Sequence, residues 1–206
     1  MIEEQLVSRG ITDERLLGAF ARVQRHAFLP PDLAESAYAD YPVSIGAGQT
    51  ISQPYIVALM TECLRLSGRE KVLEVGTGSG YQTALLAELA GEVYSIERIP
   101  SLAEQAKELL ATLGYKNIVV KIGDGTLGWP DQAPFDRIII TAASPRIPLP
   151  LPDQLAQDGL LVAPLGESMS QILTVFEKRG ATAASRQICG CIFVPLIGKY
   201  GWRDQS

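Results

Sequence analysis

The strongest chemical signal in the chain is three closely spaced glycines. Gly76, Gly78 and Gly80 stand at G-x-G-x-G spacing in KVLEVGTGSGY (71–81). Before them lies a short apolar run, Val72, Leu73 and Val75, and from Gln82 to Leu89 the pattern resumes at helical spacing. That order predicts a strand, a tight loop and a helix. Glycine at such a junction removes Cβ atoms, so the backbone can curl beneath a ligand, and the helix start adds free N–H groups with a partial positive charge. A dinucleotide fingerprint places its third glycine one residue later, so this spacing points away from a pyrophosphate. Glu97 closes the next apolar run, Val93 to Ile96, about 20 residues past the loop, where an acidic residue grips ribose hydroxyls. Loop and acid together read as an adenosine site. A Gly-rich βα turn also forms with no ligand, and Glu97 taken alone is equally a solvated charge at a strand end.

Asp124, between Gly123 and Gly125, is a carboxylate on a loop open enough for a flat ring, and an adenine amino group is a suitable donor to it. The alternative is an Asx-turn residue that caps its own backbone. His26 is the single histidine, so a Ser-His-Asp triad, a Cys-His pair or a histidine metal site would each need that one residue, in RVQRHAFLP. Cys63, Cys189 and Cys191 suit neither a C-x-x-C knuckle nor a disulfide framework and read as buried small apolar residues in a reducing compartment.

These residues need a scaffold that gathers them. Thr12 or Asp13 caps a helix with Leu16, Phe20 and Val23 in one stripe, ended by Pro30 and Pro31. Tyr38 to Gln49 mixes Pro, Gly and aromatics without period and is expected as a loop folded over the site. Gln53 to Leu66 is an amphipathic helix with Ser52 as its N-cap. After the glycine loop come a helix at Ser101–Leu113, strands at Ile118–Ile122 and Phe135–Thr141, a short helix at Leu151–Gln157 and a strand at Gly159–Pro164. The alternation implies an α/β fold with a doubly wound, mostly parallel sheet and right-handed crossovers. Ile172–Glu177 and Ile188–Val194 are expected as an antiparallel hairpin at one edge, turning near Arg179-Gly180, and Gly201–Ser206 as a loose tail. In such a sheet ligands bind beyond the carboxyl ends of the strands, near the reversal of strand order. The glycine loop, Glu97, Asp124 and Thr141-Ala142-Ala143 all fall at those ends.

At 206 residues the chain fits a single domain: an N-terminal helical cover with the active-site loop (1–66), a βα core (67–166) and a hairpin with tail (167–206). A net charge of −5 argues against binding nucleic acid through its phosphates. The N-terminus lacks an apolar h-region and no stretch is long enough to span a bilayer, so a cytoplasmic, membrane-free protein is expected.

LEVGTGSGY, the strand-end Glu97 and the GDG at Gly123–Gly125 resemble the cofactor motifs of class I S-adenosylmethionine methyltransferases, which have a Rossmann-like fold. IGAGQTISQPY (45–55), FDRIIITAA, LPDQLAQDGLLVAPLG (151–166) and FVPLIGKYGW (193–202) resemble one family among them, protein-L-isoaspartate O-methyltransferase, over nearly the whole chain from Arg15 to Trp202. The resemblance implies a repair enzyme, acting as a monomer, that methylates the abnormal α-carboxylate of isoaspartyl residues in damaged peptides and proteins and so promotes succinimide closure. It implies that Ser52 is the active-site serine. It further implies that Gln49, Thr50, Ile51, Ser52, Gly76, Thr77, Gly78, Glu97, Asp124 and Gly125 contact S-adenosylmethionine, with no metal. Two positions depart from the pattern: Glu97 where many such enzymes have Asp, and Thr126 where Arg is common. No contact is carried beyond Leu196.

The chemistry suits this inventory. A carboxylate with a reference pKa near 3.9 is already ionised at neutral pH, so its methylation needs no general base. Ser52 would orient the acceptor instead of attacking it. The alternatives are a methyltransferase for a small carboxylic acid or hydroxylated metabolite, an NAD-dependent oxidoreductase, and a non-catalytic module that reads isoaspartyl peptides.

Overall fold

The computed structural model describes residues 1–180 and 182–203. Its centre is a seven-stranded sheet. Five strands run parallel: β3 (Lys71–Val75), β4 (Glu92–Glu97), β5 (Ile118–Ile122), β6 (Phe135–Ile140) and β7 (Leu155–Glu167). β8 (Ser170–Arg179) pairs antiparallel with β7, and β9 (Thr182–Cys191) pairs antiparallel with β8. The order β5-β4-β3-β6-β7-β8-β9 reverses between β3 and β6, which places a ligand-binding crevice there.

The inner strands β3, β6 and β7 are buried on both faces, and their alternation sorts them. Val72, Ile139 and Val162 join one core layer with Met60 and Leu86. Leu73, Val75, Ile138, Ile140 and Leu161 face the other way, with Leu151 and Leu196. This is why Phe135–Ile140 is nearly all apolar. The helices that cover these faces include α2 (Pro54–Cys63), α3 (Tyr81–Leu89), α4 (Pro100–Thr112) and α5 (Leu151–Gln154). A third apolar cluster joins α1 (Glu14–Arg22) to Tyr81, Leu85 and Leu110. Asp13 caps α1, its Oδ1 accepting the amides of Arg15 and Leu16 at 2.9 and 3.1 Å.

Several expectations need correction. α1 stops at Arg22, well before Pro30, because Val23 turns extended; a 3₁₀ turn then spans Arg25–Phe28, and Pro31 starts another at Pro31–Ser36, where a fixed φ and missing N–H suit the first helical position. The segment expected as a loop holds two short strands, β1 (Val43–Gly46) and β2 (Gln49–Ile51). Ala47 and Gly48 between them have φ of 49° and 68°, as a type I′ hairpin turn requires. Ala-Gly is a weaker signal for that turn than Asn-Gly, so the hairpin was hidden. α2 begins at Pro54 with Gln53 as its N-cap, so Ser52 does not cap it. α5 ends at Gln154, and Gln157 already lies in β7. The edge is a three-stranded antiparallel meander in which β9 ends at Cys191, short of Val194. Arg179 lies opposite Thr182, so the turn falls where expected. Gly201 and Trp202 are tied down, the Trp202 amide donating to the Leu196 carbonyl at 2.7 Å; the rest of the expected tail, residues 204–206, lies outside the described residues. No helix among the described residues is long and apolar enough to cross a membrane.

Candidate active site

The crevice at the reversal of strand order is open. One cleft is lined by Gln49, Thr50, Ile51 and Ser52 on one side and by Gly76, Thr77, Gly78 and Glu97 on the other. A second adjoins it, sharing Gln49, Gly76 and Glu97 and adding Arg98, Ile99, Gly125 and Ile197.

Glycine is required at the bend. Gly76 has φ +102°, and a Cβ there would run into Thr141 Oγ1. That hydroxyl lies 2.6 Å from the Gly76 carbonyl, to which it donates, so the end of β6 pins the start of the loop. The Gly78 amide donates to Glu97 Oε2 and the Ile99 amide to Oε1, both at 2.9 Å. A carboxylate offers about four lone-pair sites, so Glu97 holds the loop in place and keeps acceptor capacity for sugar hydroxyls.

Behind the loop is an acid that the sequence analysis passed over. Glu74 is fully buried, with Oε2 accepting hydroxyls from Ser95 at 2.6 Å and Thr83 at 2.5 Å. Ser95 in turn meets Thr77 Oγ1 at 2.5 Å, so the network reaches the cleft wall. Burial pushes the Glu74 carboxyl up to about 8, its two hydroxyl donors oppose that, and the nearby Glu97 charge adds to it. Burial therefore favours the protonated form. The available signal was an acid inside the apolar strand run 72–75.

Asp124 behaves as the Asx-turn alternative supposed. Its Oδ1 accepts the Thr126 amide and hydroxyl at 2.9 and 2.6 Å, and Oδ2 accepts the Lys199 amide at 2.8 Å. Asp124 lines neither cleft, whereas Gly125 lines the second. Thr126 is fully buried, and its Oγ1 accepts the Tyr200 amide at 3.1 Å, so the position that departs from the expected Arg fastens the C-terminal turn.

Ser52 sits at a junction. With Thr50, Thr141, Phe193 and Val194 it lines both the first cleft and an outer groove of about 670 Å3. Its hydroxyl takes no hydrogen bond among the described residues, while its carbonyl accepts Arg25 Nη2 at 2.6 Å. His26 lies elsewhere, its Nδ1 2.7 Å from the Tyr38 hydroxyl. Cys63 is buried, but Cys189 and Cys191 are only half-buried on β9 and line the outer groove, a correction to the expectation for all three.

A sheet wound this way, a glycine loop braced by the acid of the next strand, and open space beneath that loop define a Rossmann-like α/β protein that binds a nucleoside-type ligand at the strand ends. The family described as protein-L-isoaspartate(D-aspartate) O-methyltransferase matches residues 1–201. A relative from Syntrophobacter fumaroxidans, named protein-L-isoaspartate O-methyltransferase 1, is 56% identical over 98% of this chain and 94% of its own length. One from Methanoculleus marisnigri is 53% identical over 100% and 93%. A solved protein-L-isoaspartate O-methyltransferase aligns with TM-score 0.87 at 28% identity, covering 98% of this chain and 67% of that one. A Plasmodium falciparum structure in complex with S-adenosyl-L-homocysteine gives 0.82 at 25%, covering 95% and 96%. The chain belongs to the protein-L-isoaspartate(D-aspartate) O-methyltransferase family.

Proposed function

We propose that this chain methylates the free α-carboxylate of L-isoaspartyl residues in damaged peptides and proteins, taking the methyl group from S-adenosylmethionine and so initiating repair through a succinimide. The observation that carries the reading is the junction at Ser52, where the cleft beneath the glycine loop and an outer groove along residues 189–195 share one wall. The groove's lining includes Met169 and Ile192, two of the most exposed large apolar side chains among the described residues, a surface that a peptide segment covers better than a small carboxylic acid does.

When bound, S-adenosylmethionine supplies an electrophilic methyl group, which passes to a carboxylate oxygen while the S–C electron pair stays on sulfur. The chain's own residues place and shield the partners. Gly76, Thr77 and Gly78 form the floor, and Glu97 accepts sugar hydroxyls on the lone pairs that the Gly78 and Ile99 amides leave free. Gln49, Thr50 and Ile51 form the opposite wall, Gly125 the adenine end, and Asp124 fixes that end through its own turn. Ser52 is the catalytic residue: its unengaged hydroxyl donates to the acceptor carboxylate and orients it. Alignment of this kind is worth roughly 7 to 11 kcal/mol in favourable intramolecular reactions. The reading also has the chain acting as a cytoplasmic monomer with no nucleic-acid or membrane partner, for which its acidic charge is support.

The test is methyl-labelled S-adenosylmethionine with two peptides differing only in Asp and isoAsp. Base-labile methanol from the isoaspartyl peptide alone is expected. Methanol from neither peptide, or equally from both, would overturn the proposal.

A further inference from the structure

Arg25 has no exposed surface and is among the largest fully buried side chains of the molecule. Its Nε donates to the Ala37 carbonyl at 2.6 Å and its Nη2 to the Ser52 carbonyl at 2.6 Å. Its guanidinium carbon lies 4.9 Å from the centre of the Tyr81 ring. Tyr81 opens α3 directly after Gly80 and is held edge-on by Phe20 and Phe28. One planar group thus touches the N-terminal cover, the segment that ends in the proposed catalytic serine, and the helix that follows the glycine loop.

Stability alone does not account for this choice. No acidic side chain pairs with Arg25 among the described residues; beyond the two carbonyls its polar neighbour is the Tyr81 hydroxyl, and Nη1 makes no well-formed hydrogen bond. Burying a cation with no counter-ion is costly, and apolar side chains commonly fill such a volume at less cost. What arginine alone supplies is two adjacent donors in a rigid plane together with a flat face for an aromatic ring; lysine is a point charge on a flexible stem. The rigid plane sets the distance between Ser52 and the start of α3.

We propose that Arg25 is a positioning residue for methyl transfer, holding the Ser52 backbone at a fixed place relative to the glycine loop. The inference rests on the isoaspartyl methyltransferase reading above. Its contact is with the carbonyl of Ser52, which leaves the hydroxyl free for the acceptor. Loss of the plane would let residues 49–53 wander without removing any group that touches the cofactor.

Two variants test this. Arg25→Lys keeps the charge and loses the planar pair of donors; Arg25→Gln removes the charge, keeps one amide donor and serves if the lysine variant does not fold. Each is assayed at saturating S-adenosylmethionine, at a temperature where circular dichroism shows it folded. The expected result is a fall in kcat of about tenfold or more, the scale of a misplacement below 1 Å. The peptide KM and the Kd for S-adenosylhomocysteine should stay within about threefold, and the amides of residues 49–53 should exchange faster with deuterium. A folded variant with wild-type kcat would overturn the assignment. So would a loss of activity matched by an equal loss of S-adenosylhomocysteine affinity. A wild-type chain that transfers no methyl to the isoaspartyl peptide would overturn the functional reading and this inference with it, so the two failures are distinguishable.

Discussion

The Lys199 amide donates to Asp124 Oδ2 at 2.8 Å, which fastens the C-terminal turn to the loop after β5, 75 positions earlier. Gly198 packs against the same carboxylate so closely that a Cβ there would collide with Oδ1, leaving the Asp124 carboxyl carbon and Thr126 Cγ2 each at 2.8 Å. Gly198→Ala should therefore push the turn off the loop. Overpacking of this kind costs about 1 to 3 kcal/mol. Thermal melts should show that loss, and calorimetry should show weaker S-adenosylhomocysteine binding, because Gly125 and Ile197 line the second cleft on either side of the contact.

Ser52→Ala should separate catalysis from stability. Ser52 does not cap α2, and its hydroxyl has no partner within the described chain. The substitution should change unfolding free energy by no more than about 0.5 kcal/mol, as for surface changes away from special features. Methanol release from an isoaspartyl peptide should fall at least about tenfold. Turnover equal to wild type in the alanine variant would remove Ser52 from the mechanism.

Glu97→Gln offers one carbonyl oxygen to two amides, those of Gly78 and Ile99, that now have a carboxylate oxygen each. One amide is left facing an NH2 group. A hydrogen bond to a charged group is worth about 1.5 to 3 kcal/mol. The S-adenosylhomocysteine Kd should rise by about tenfold to a hundredfold, measured by calorimetry. An unchanged Kd would mean that the loop stands without the carboxylate.

Two buried carboxyls give the stability a definite pH dependence. Glu74 titrates near 8 in the folded chain, against an ordinary value of 4.5, because it is buried. Between those values the folded state holds a proton that the unfolded state has lost, so stability falls as pH rises from about 4.5 to 8. Glu70 shifts the other way. Burial would raise it, but the Ser67 hydroxyl and the Ser67 and Gly68 amides together hold it down at about 2. Its contribution is present above 4.5 and is lost as pH falls toward 2. Urea unfolding across this range should show both slopes, and Glu74→Gln should flatten the alkaline one. A slope from pH 5 to 8 identical in that variant would refute the Glu74 assignment.

The meander edge and the hairpin before Ser52 show why some elements were not legible. Ala47-Gly48 adopts a turn that Ala-Gly does not advertise, and the pairing of β1 with β2 supplies what local preference lacks. Ser52 has the residue type of an N-cap one position too early, and Pro54 at the first helical position decided the start instead. Arg25 and Glu74 carried no visible signal of their importance beyond being charges beside apolar residues, because burial of a charge is decided by what folds around it.

What the sequence determined by itself is the part written in short-range pattern. The alternation of buried strands and amphipathic helices, the glycine bend and the acid at the end of the second parallel strand are each written in local pattern, where periodicity and backbone preference act directly. Only the tertiary structure decided which polar groups meet. Arg25 reaches Ser52 across 27 positions, Glu97 reaches Gly78 across 19, and Asp124 turns toward Lys199 instead of into the cleft. Those pairings come from closing long loops so that donors find acceptors, because most buried polar groups are paired wherever the chain brings them.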